Sequence, residues 1–122
     1  YTSELFRVAV THAEANFDRA YVLSAKHGLV GLDVELAPYD QTLTSLTWGE
    51  QLNWAYGVTS ELRALHPGDV ALSIFAGKAY CDPLYCSLAT WSYKRPGRTI
   101  EFPLDGLQIG ERLAWFKARR AA

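Results

Sequence analysis

Residues 69–80 decide the predicted fold, and they read Asp-Val-Ala-Leu-Ser-Ile-Phe-Ala-Gly-Lys-Ala-Tyr. The run from Asp69 to Phe75 is mostly apolar and has the length of a buried strand. It follows His66-Pro-Gly-Asp69, which ends the preceding helix sharply. Ala76-Gly-Lys78 then forms a tight turn into a helix that we expect to reach about Ser92. A strand that passes at once into a helix is typical of α/β proteins.

The same alternation of helix and strand continues on both sides of this stretch. Apolar spacings of three and four predict helices over residues 3–16, 47–65 and 106–120, the second opened by a Thr47-x-x-Glu50 capping box. Short apolar runs predict strands over residues 20–24 and 98–102, and residues 25–45 read as a long irregular segment. We therefore predict a single α/β domain over residues 1–122, a small three-layer domain with a short, mainly parallel sheet flanked by helices.

Three predicted strands make a poor sheet, and the sequence contains no methionine and starts at Tyr1. From these observations we expect that a native N-terminal strand is missing from the residues given.

The composition excludes several classes of protein. An apolar content of 49% and a net charge of -1 do not fit a disordered chain. No run is long and apolar enough to span a bilayer, and no stretch reads as a secretory signal peptide, so we expect no membrane partner. Cys81 and Cys86 fall on different faces of a predicted helix, without metal-ligand spacing nearby. We expect two reduced thiols in a cytoplasmic protein that needs neither a metal nor a cofactor.

Residues 24–42 are the first candidate site, because ligands of open α/β sheets bind in the loops that follow the strands. A loop of this length in a small domain is usually functional. Each of its polar side chains alone reads as an ordinary surface residue. Together they predict a site in which burial and mutual charge can shift pKa values. The side chains are Ser24, Lys26, His27, Asp33, Glu35, Tyr39, Asp40 and Thr42.

The turn at Gly77 is the second candidate site. Glycine permits close approach of a ligand to the backbone there, and Tyr80 follows in the same turn of helix. Lys78 lies in a first helical turn, where a cation is disfavoured unless an anion binds nearby. The alternative is an ordinary surface lysine. The turn is not a Walker A loop, since the upstream glycine and the following Ser or Thr are absent.

Basic residues concentrate at the C-terminal end, since residues 94–122 carry seven of the 12 basic side chains and three of the 13 acidic ones. They are either solvated helix ends or a surface that contacts a polyanion such as DNA. The aromatic residues Trp54, Tyr56 and Trp91 are likewise either core or platforms on which a base stacks. The basic residues are Lys94, Arg95, Arg98, Arg112, Lys117, Arg119 and Arg120.

The stretch Leu23-Ser-Ala-Lys-His-Gly-Leu-Val-x-Leu-Asp-x-Glu-Leu-x-Pro-Tyr-Asp-x-Thr-Leu43 resembles a small uncharacterised-domain family of bacteria, archaea and phages. Shorter matches cover residues 1–6, 76–80 and 103–115. That family is distantly similar to the YaaA peroxide-stress family, which is associated with DNA binding, although His27 stands where the YaaA pattern has tyrosine. The resemblance also implies a strand and a Cys-Gly-x-x-Lys-like turn ahead of Tyr1. More remotely, the group is related to base-modifying and base-excising enzymes.

The function that this resemblance implies is a DNA N-glycosylase that excises modified bases, in phage defence or base excision. Asp33 or Asp40 would stabilise an oxocarbenium-like sugar or orient water, and Tyr39 or His27 would hold or protonate the departing base. The pocket would be lined by Ser24, Lys26, Glu35, Gly77, Lys78 and Tyr80, with Lys26 and Lys78 on flanking phosphates. The DNA backbone would meet Lys94, Arg95, Arg98, Arg112, Lys117 and Arg119.

Two alternatives stay open. The first is a non-catalytic DNA-binding module of the YaaA type that acts in stress response, which needs the basic residues but not the carboxylates. The second is an enzyme that processes a free nucleotide or nucleobase, with Lys78 on the substrate phosphate.

Overall fold

The computed structural model describes residues 4–31 and 43–120, and these form a mixed α/β arrangement of four α-helices and two small sheets. In chain order the elements are α1 Glu4–Asn16, β1 Tyr21–Ser24, β2 Gly28–Gly31, a 3-10 helix Leu43–Ser45, α2 Trp48–Leu65, β3 Ala71–Ser73, α3 Lys78–Ser92, β4 Thr99–Glu101 and α4 Ile109–Arg120. Helix α1 packs on α4, and α2 packs on α3.

The prediction of a mainly parallel sheet is wrong in one half of the molecule. Strands β3 and β4 are parallel and pair Leu72 with Ile100, as expected for strands joined by a helix. Strands β1 and β2 are antiparallel, with Ser24 opposite Gly28 at the turn. The segment predicted as irregular therefore contains the turn and the second strand of a hairpin. Gly28, with a φ of 75°, supplies the left-handed residue that lets the chain reverse within three residues.

Helix boundaries follow local capping chemistry. At the start of α2, Thr47 Oγ1 accepts from the Glu50 N–H at 3.2 Å, and the Thr47 N–H donates to Glu50 Oε1 at 2.9 Å, so the predicted capping box is confirmed. Helix α4 begins three residues later than predicted. Gly106 takes a φ of 79°, and the Gln108 N–H donates to Glu111 Oε1, which caps the helix there instead.

The core lies between α2 and α3. Side chains at helical spacing on each helix are almost fully buried, and the apolar residues of β3 and β4 pack against them. Within this contact Thr59 Oγ1 donates to Ser87 Oγ at 2.8 Å, so the two buried hydroxyls satisfy each other. The buried members are Ala55, Val58, Leu62, Leu84, Leu88 and Trp91.

A cleft of about 1080 Å³ separates the two sheets. Residues 20–23 line it on the β1 side and residues 69–77 on the β3 side. Neighbouring side chains of a strand point to opposite faces. Since consecutive residues of each strand line the cleft, the edges of the strands border it. Helix α1 covers one side with Leu5, Ala9 and Ala13. In the described part of the chain, β1 pairs only with β2 and β3 only with β4, so both edges that face the cleft are open.

Candidate functional site

Ser24 anchors the turn between β1 and β2. Its side chain is fully buried, and its Oγ accepts from the backbone N–H of His27 at 3.0 Å. Its carbonyl oxygen accepts from Trp54 Nε1 at 2.8 Å. Lys26 and His27 are exposed at the tip of this turn. Ser24 therefore holds the backbone of the turn in place, and the two basic residues are presented to the outside.

The start of α3 has no side-chain cap. Gly77 is the N-cap, in an extended conformation. As a glycine it has no side chain that could accept a hydrogen bond from the first turn. Its carbonyl accepts from the N–H groups of Tyr80 and Cys81, both at 3.1 Å. The N–H groups of Lys78 and Ala79 thus remain at the positive end of the helix dipole, which is the usual setting for an anion.

Arg112 from α4 lies against this helix start. Its Nη1 is 3.1 Å from the position that a Cβ on Gly77 would occupy, so a larger residue there would require the guanidinium to shift. Its Nε donates to the Leu107 carbonyl at 2.9 Å, which orients the group. Arg112 forms no ion pair with any of the described carboxylates. Its charge is therefore available to a ligand at the N-terminus of α3.

Lys78 is more exposed than Arg112. Its side chain keeps 82% of its accessible surface, and Nζ is 3.1 Å from Asp82 Oδ2, one helical turn later. An exposed ion pair of this kind contributes little to stability and exchanges readily for another anion.

Trp54 joins the two predicted site loops. Its indole N–H binds the Ser24 carbonyl, and its ring centroid lies 5.6 Å from that of Tyr80 in an edge-on contact. Both rings are half-buried. The structure therefore brings Ser24 and the Gly77 turn into one region. From the sequence, Trp54 is either a core residue or a platform on which a base stacks. Helical spacing alone does not show that its ring faces a neighbouring loop. Trp91 is core, at 1% exposure, and Tyr56 is half exposed.

Cys81 is in the same turn of α3, and its thiol is buried. Burial, followed by the charges of Asp105 and Asp82, raises its pKa to about 11, although Arg112 acts in the opposite direction. Cys86 is exposed, so the two thiols lie on different faces of α3 as expected.

Four of the predicted site residues, Asp33, Glu35, Tyr39 and Asp40, together with Thr42, lie outside the described residues. Asp33 follows Gly31 by two residues, and Gly31 pairs with Tyr21, at the end of β1 away from Ser24. Asp40 precedes the buried Leu43 by three residues, and the 3-10 helix at Leu43 contacts α3.

The predicted backbone-contact residues differ in their surroundings. Arg98 is 7% exposed, and it donates to the carbonyls of Pro67, Gly68 and Trp91. Its donors are thus used within the fold. The others are Arg95, paired with Asp69; Lys117, paired with Glu4; Arg119, 3.7 Å above the Trp115 ring; and Lys94, exposed beside Tyr93.

Two absences concern only the described residues. They contain no group of three or more His, Cys, Asp or Glu side chains that could hold a metal ion. None of their helices combines the length and the apolar character needed to cross a membrane.

Comparison with known proteins identifies a family. The model of a family of unknown function, DUF6884, matches residues 1–118. No curated protein and no solved structure matches the chain significantly.

Proposed function

The chain belongs to this family of unknown function, and from the geometry at the start of α3 we propose that it is a DNA-binding protein that excises modified bases as an N-glycosylase. The observation that carries the binding part is the packing of the Arg112 guanidinium against the uncapped helix start at Gly77. A phosphate at this position receives the N–H groups of Lys78 and Ala79, the helix dipole and the Arg112 charge together.

The aromatic pair next to this position supports a nucleotide as the ligand, beyond its phosphate alone. Tyr80 is three residues after Gly77, on the same helical turn, and Trp54 contacts it. A base that leaves the duplex can stack on half-buried rings of this kind, and each stacked base contributes about 1–3 kcal/mol. Phosphate and base of one flipped nucleotide would then be bound within the same region.

The reaction in this proposal is hydrolysis of the N-glycosidic bond. Water forms the new bond to C1′ as the bond to the base breaks, one water proton passes to a carboxylate, and the base leaves with a proton from Tyr39 or His27. The carboxylate in this proposal is Asp33 or Asp40.

Binding is tested with duplex DNA over a range of salt concentrations. We expect Arg112→Gln to weaken affinity about tenfold and to make the slope of log K against log salt shallower by about one, since one charge-assisted phosphate contact is lost. Arg63→Gln is the matched control, because Arg63 is an exposed arginine in the last turn of α2, away from the site. Equal loss in both variants, or no loss in Arg112→Gln, would overturn the phosphate site.

Excision is tested with duplexes that carry a series of modified bases, scored for abasic sites. We expect product from at least one base, lost when Asp33→Asn and Asp40→Asn are combined while DNA affinity is retained. If no duplex yields product but salt-dependent binding remains, the glycosylase is refuted and the non-catalytic module is correct. If free nucleotides raise the Tm and DNA does not bind, the protein processes nucleotides instead.

The finer architecture is part of the same proposal. We infer a single three-layer domain over residues 1–122 in which a native N-terminal strand occupies the cleft between β1 and β3. The cleft measures about 1080 Å³. A five-residue strand fills roughly 800 Å³, at about 16 Å by 4.8 Å by 10 Å. Helix α1 lies over the cleft and continues into β1, which is the course of a crossover helix between two parallel strands.

Amide hydrogen exchange tests this strand. Thr99 donates to Val70 and Ile74 donates to Glu101, so Ala71 and Ser73 direct their N–H groups away from β4, toward the cleft. We expect an added N-terminal segment of alternating valine and isoleucine to slow exchange at both amides at least about tenfold. A segment of equal length with proline at alternate positions lacks the N–H groups for pairing and should have no effect. Equal exchange in the two proteins would refute the strand.

A further inference from the structure

Helix α4 extends beyond the phosphate position at Gly77 and carries a second arginine on the same side as Arg112. Arg112 and Arg119 are seven residues apart in α4, which is close to two full turns. Their side chains therefore leave the helix in directions that differ by about 20°, at points about 10.5 Å apart along its axis. Trp115 lies between them, three residues after Arg112. These three residues form one row on the helix, which we call the α4 row.

Arg119 is held in place in a similar way to Arg112. Its Cζ lies 3.7 Å from the centroid of the Trp115 ring, and its Nη1 donates to the Trp115 carbonyl at 3.0 Å. Arg112 likewise donates one N–H to a backbone carbonyl, that of Leu107. A guanidinium has five N–H donors, so one such bond orients the group and leaves other donors for an anion. Neither arginine forms an ion pair with a described carboxylate.

The α4 row and the aromatic pair lie on opposite faces of the sheet formed by β3 and β4. Ile74 packs against the α2–α3 core, as does Trp54. The next residue, Phe75, contacts α4 instead, with its ring 5.6 Å from that of Trp115. Gly77 follows two residues later, at the edge between the two faces. A strand whose phosphate binds at Gly77 can therefore place one base toward Trp54 and continue along α4 on the other face.

Lys117 is on the same helix but is not part of the α4 row. It is two residues before Arg119, about 200° around the helix, and its Nζ is 3.5 Å from Glu4 Oε1 of α1. A general attraction between a basic helix end and DNA would use Lys117 and Arg119 alike. A strand that follows the α4 row would use Arg119 and not Lys117. The two lysine and arginine positions thus distinguish a defined contact from a diffuse one.

We propose that the α4 row binds the sugar–phosphate backbone beside the flipped nucleotide, with Arg112 at the phosphate of that nucleotide and Arg119 at a phosphate about three nucleotides along the same strand. The inference rests on the proposed DNA binding and adds the direction in which the strand leaves the site. Phosphates of one strand advance by about 3.4 Å along the axis of a duplex. Three steps match the separation of about 10.5 Å between the two arginines when α4 lies along the strand.

The test is the affinity for duplex DNA over a range of salt concentrations, with variants that each remove one positive charge from α4. We expect Arg119→Gln to weaken binding at least about fivefold and to make the slope of log K against log salt shallower by about one, since one phosphate contact is lost. Lys117→Gln is the matched control and should change the affinity less than about twofold. Arg112→Gln combined with Arg119→Gln should reduce the slope by about two, because the arginines contact different phosphates.

Arg119→Lys separates the charge of Arg119 from its packing on Trp115. Lysine keeps the charge, so we expect this variant to keep the salt slope of the original protein. If Arg119 only supports the fold, Arg119→Lys and Arg119→Gln should lower the Tm and the DNA affinity alike, with no difference in slope.

The outcomes separate this inference from the proposal on which it rests. Equal losses in Arg119→Gln and Lys117→Gln would overturn the α4 row, because the attraction would then be diffuse. No loss in Arg119→Gln while Arg112→Gln weakens binding would also overturn it, and the phosphate site at Gly77 would stand. If none of the proteins binds DNA, both proposals are wrong.

Discussion

Two glycines illustrate how local surroundings decide the effect of one added methyl group. A Cβ on Gly97 would overlap the carboxylate of Asp69, with the Asp69 Cβ itself at 2.8 Å. Gly57 lies inside α2 with nothing within 4 Å of the position of a Cβ.

We expect opposite results from the same substitution at these positions. Gly97→Ala should lower the free energy of unfolding by about 1–3 kcal/mol, because the turn before β4 must shift. Gly57→Ala should raise it by about 0.5–1 kcal/mol, because alanine favours the helix interior. Urea unfolding measures both. A destabilised Gly57→Ala would show that this face of α2 is covered.

His12 introduces a pH dependence through its aromatic surroundings. Its ring lies 5.3 Å from the rings of both Phe75 and Trp115 and 5.5 Å from that of Phe116. Burial, and then the charge of Arg119, lower the pKa of His12 below its ordinary value of 6.5.

Because the unfolded chain binds this proton more readily than the folded one, stability should fall as the pH drops from about 6.5 toward the lower folded-state pKa. The Tm measured between pH 8 and pH 5 should show this slope, and His12→Gln should reduce it. His27, exposed in the β1–β2 turn, gives the control His27→Gln, which should keep the slope. An identical slope in all three proteins would rule out His12 as its source.

At the scale of the element, the capping box of α2 gives a second pH dependence, at lower pH. The Thr47 N–H and then the Thr47 side chain lower the pKa of Glu50. Its contribution is complete above the unfolded pKa of about 4.3 and is lost as the pH falls through the lower folded-state value. We therefore expect Glu50→Gln to flatten the acid side of the Tm profile. Thr47→Ala should cost about 1 kcal/mol at pH 7. An unaltered acid limb in Glu50→Gln would contradict this.

Elements in which apolar residues repeat over several turns, or which carry a capping motif, could be predicted from the sequence. The β1–β2 hairpin could not. Helices α2 and α3 carry apolar stripes over four turns, and Thr47 with Glu50 marks a start. Strand β2 has only Leu29 and Val30 between two glycines, too few residues for a period to show. The reversal depends on the positive φ of Gly28. A glycine permits this conformation, but its presence in the sequence does not predict it.

At the scale of the whole molecule, the two helix pairs differ in burial. Helix α1 has no fully buried residue, since its inner face borders the cleft, whereas α2 and α3 share the core. We expect amide protection in α1 to be lower than in α2 and α3, because helices with few buried contacts open locally at small cost.

Native-state hydrogen exchange measures this difference. Leu88→Ala should cost about 2–5 kcal/mol and lower protection throughout α2 and α3, because Leu88 is fully buried in their contact. Equal protection in α1 and α2 would mean that the cleft is filled and α1 is supported.

The loops that form the candidate site could be predicted from the sequence. The contacts between side chains from different elements could not. Gly77 and Lys78 are visible in the sequence as a strand-to-helix turn, and Ser24 as a strand end. The contact of Arg112 with Gly77 joins positions 35 residues apart in the chain, and no local pattern encodes it. Arg98 shows the opposite case. It reads as one more member of a basic run, yet its burial and its three carbonyl acceptors are decided by the tertiary fold alone.

The contacts of Arg98 make the two ends of β3 differ in how they are held to their neighbours. Its guanidinium ties the entry to β3 and the last turn of α3 together, at the end of β3 opposite Gly77. The Arg95–Asp69 pair reinforces the same end. At the Gly77 end, Trp54 donates to the Ser24 carbonyl and contacts the Tyr80 ring. We therefore expect an opening that admits a ligand to begin at the Gly77 end, with loss of the Trp54 contacts.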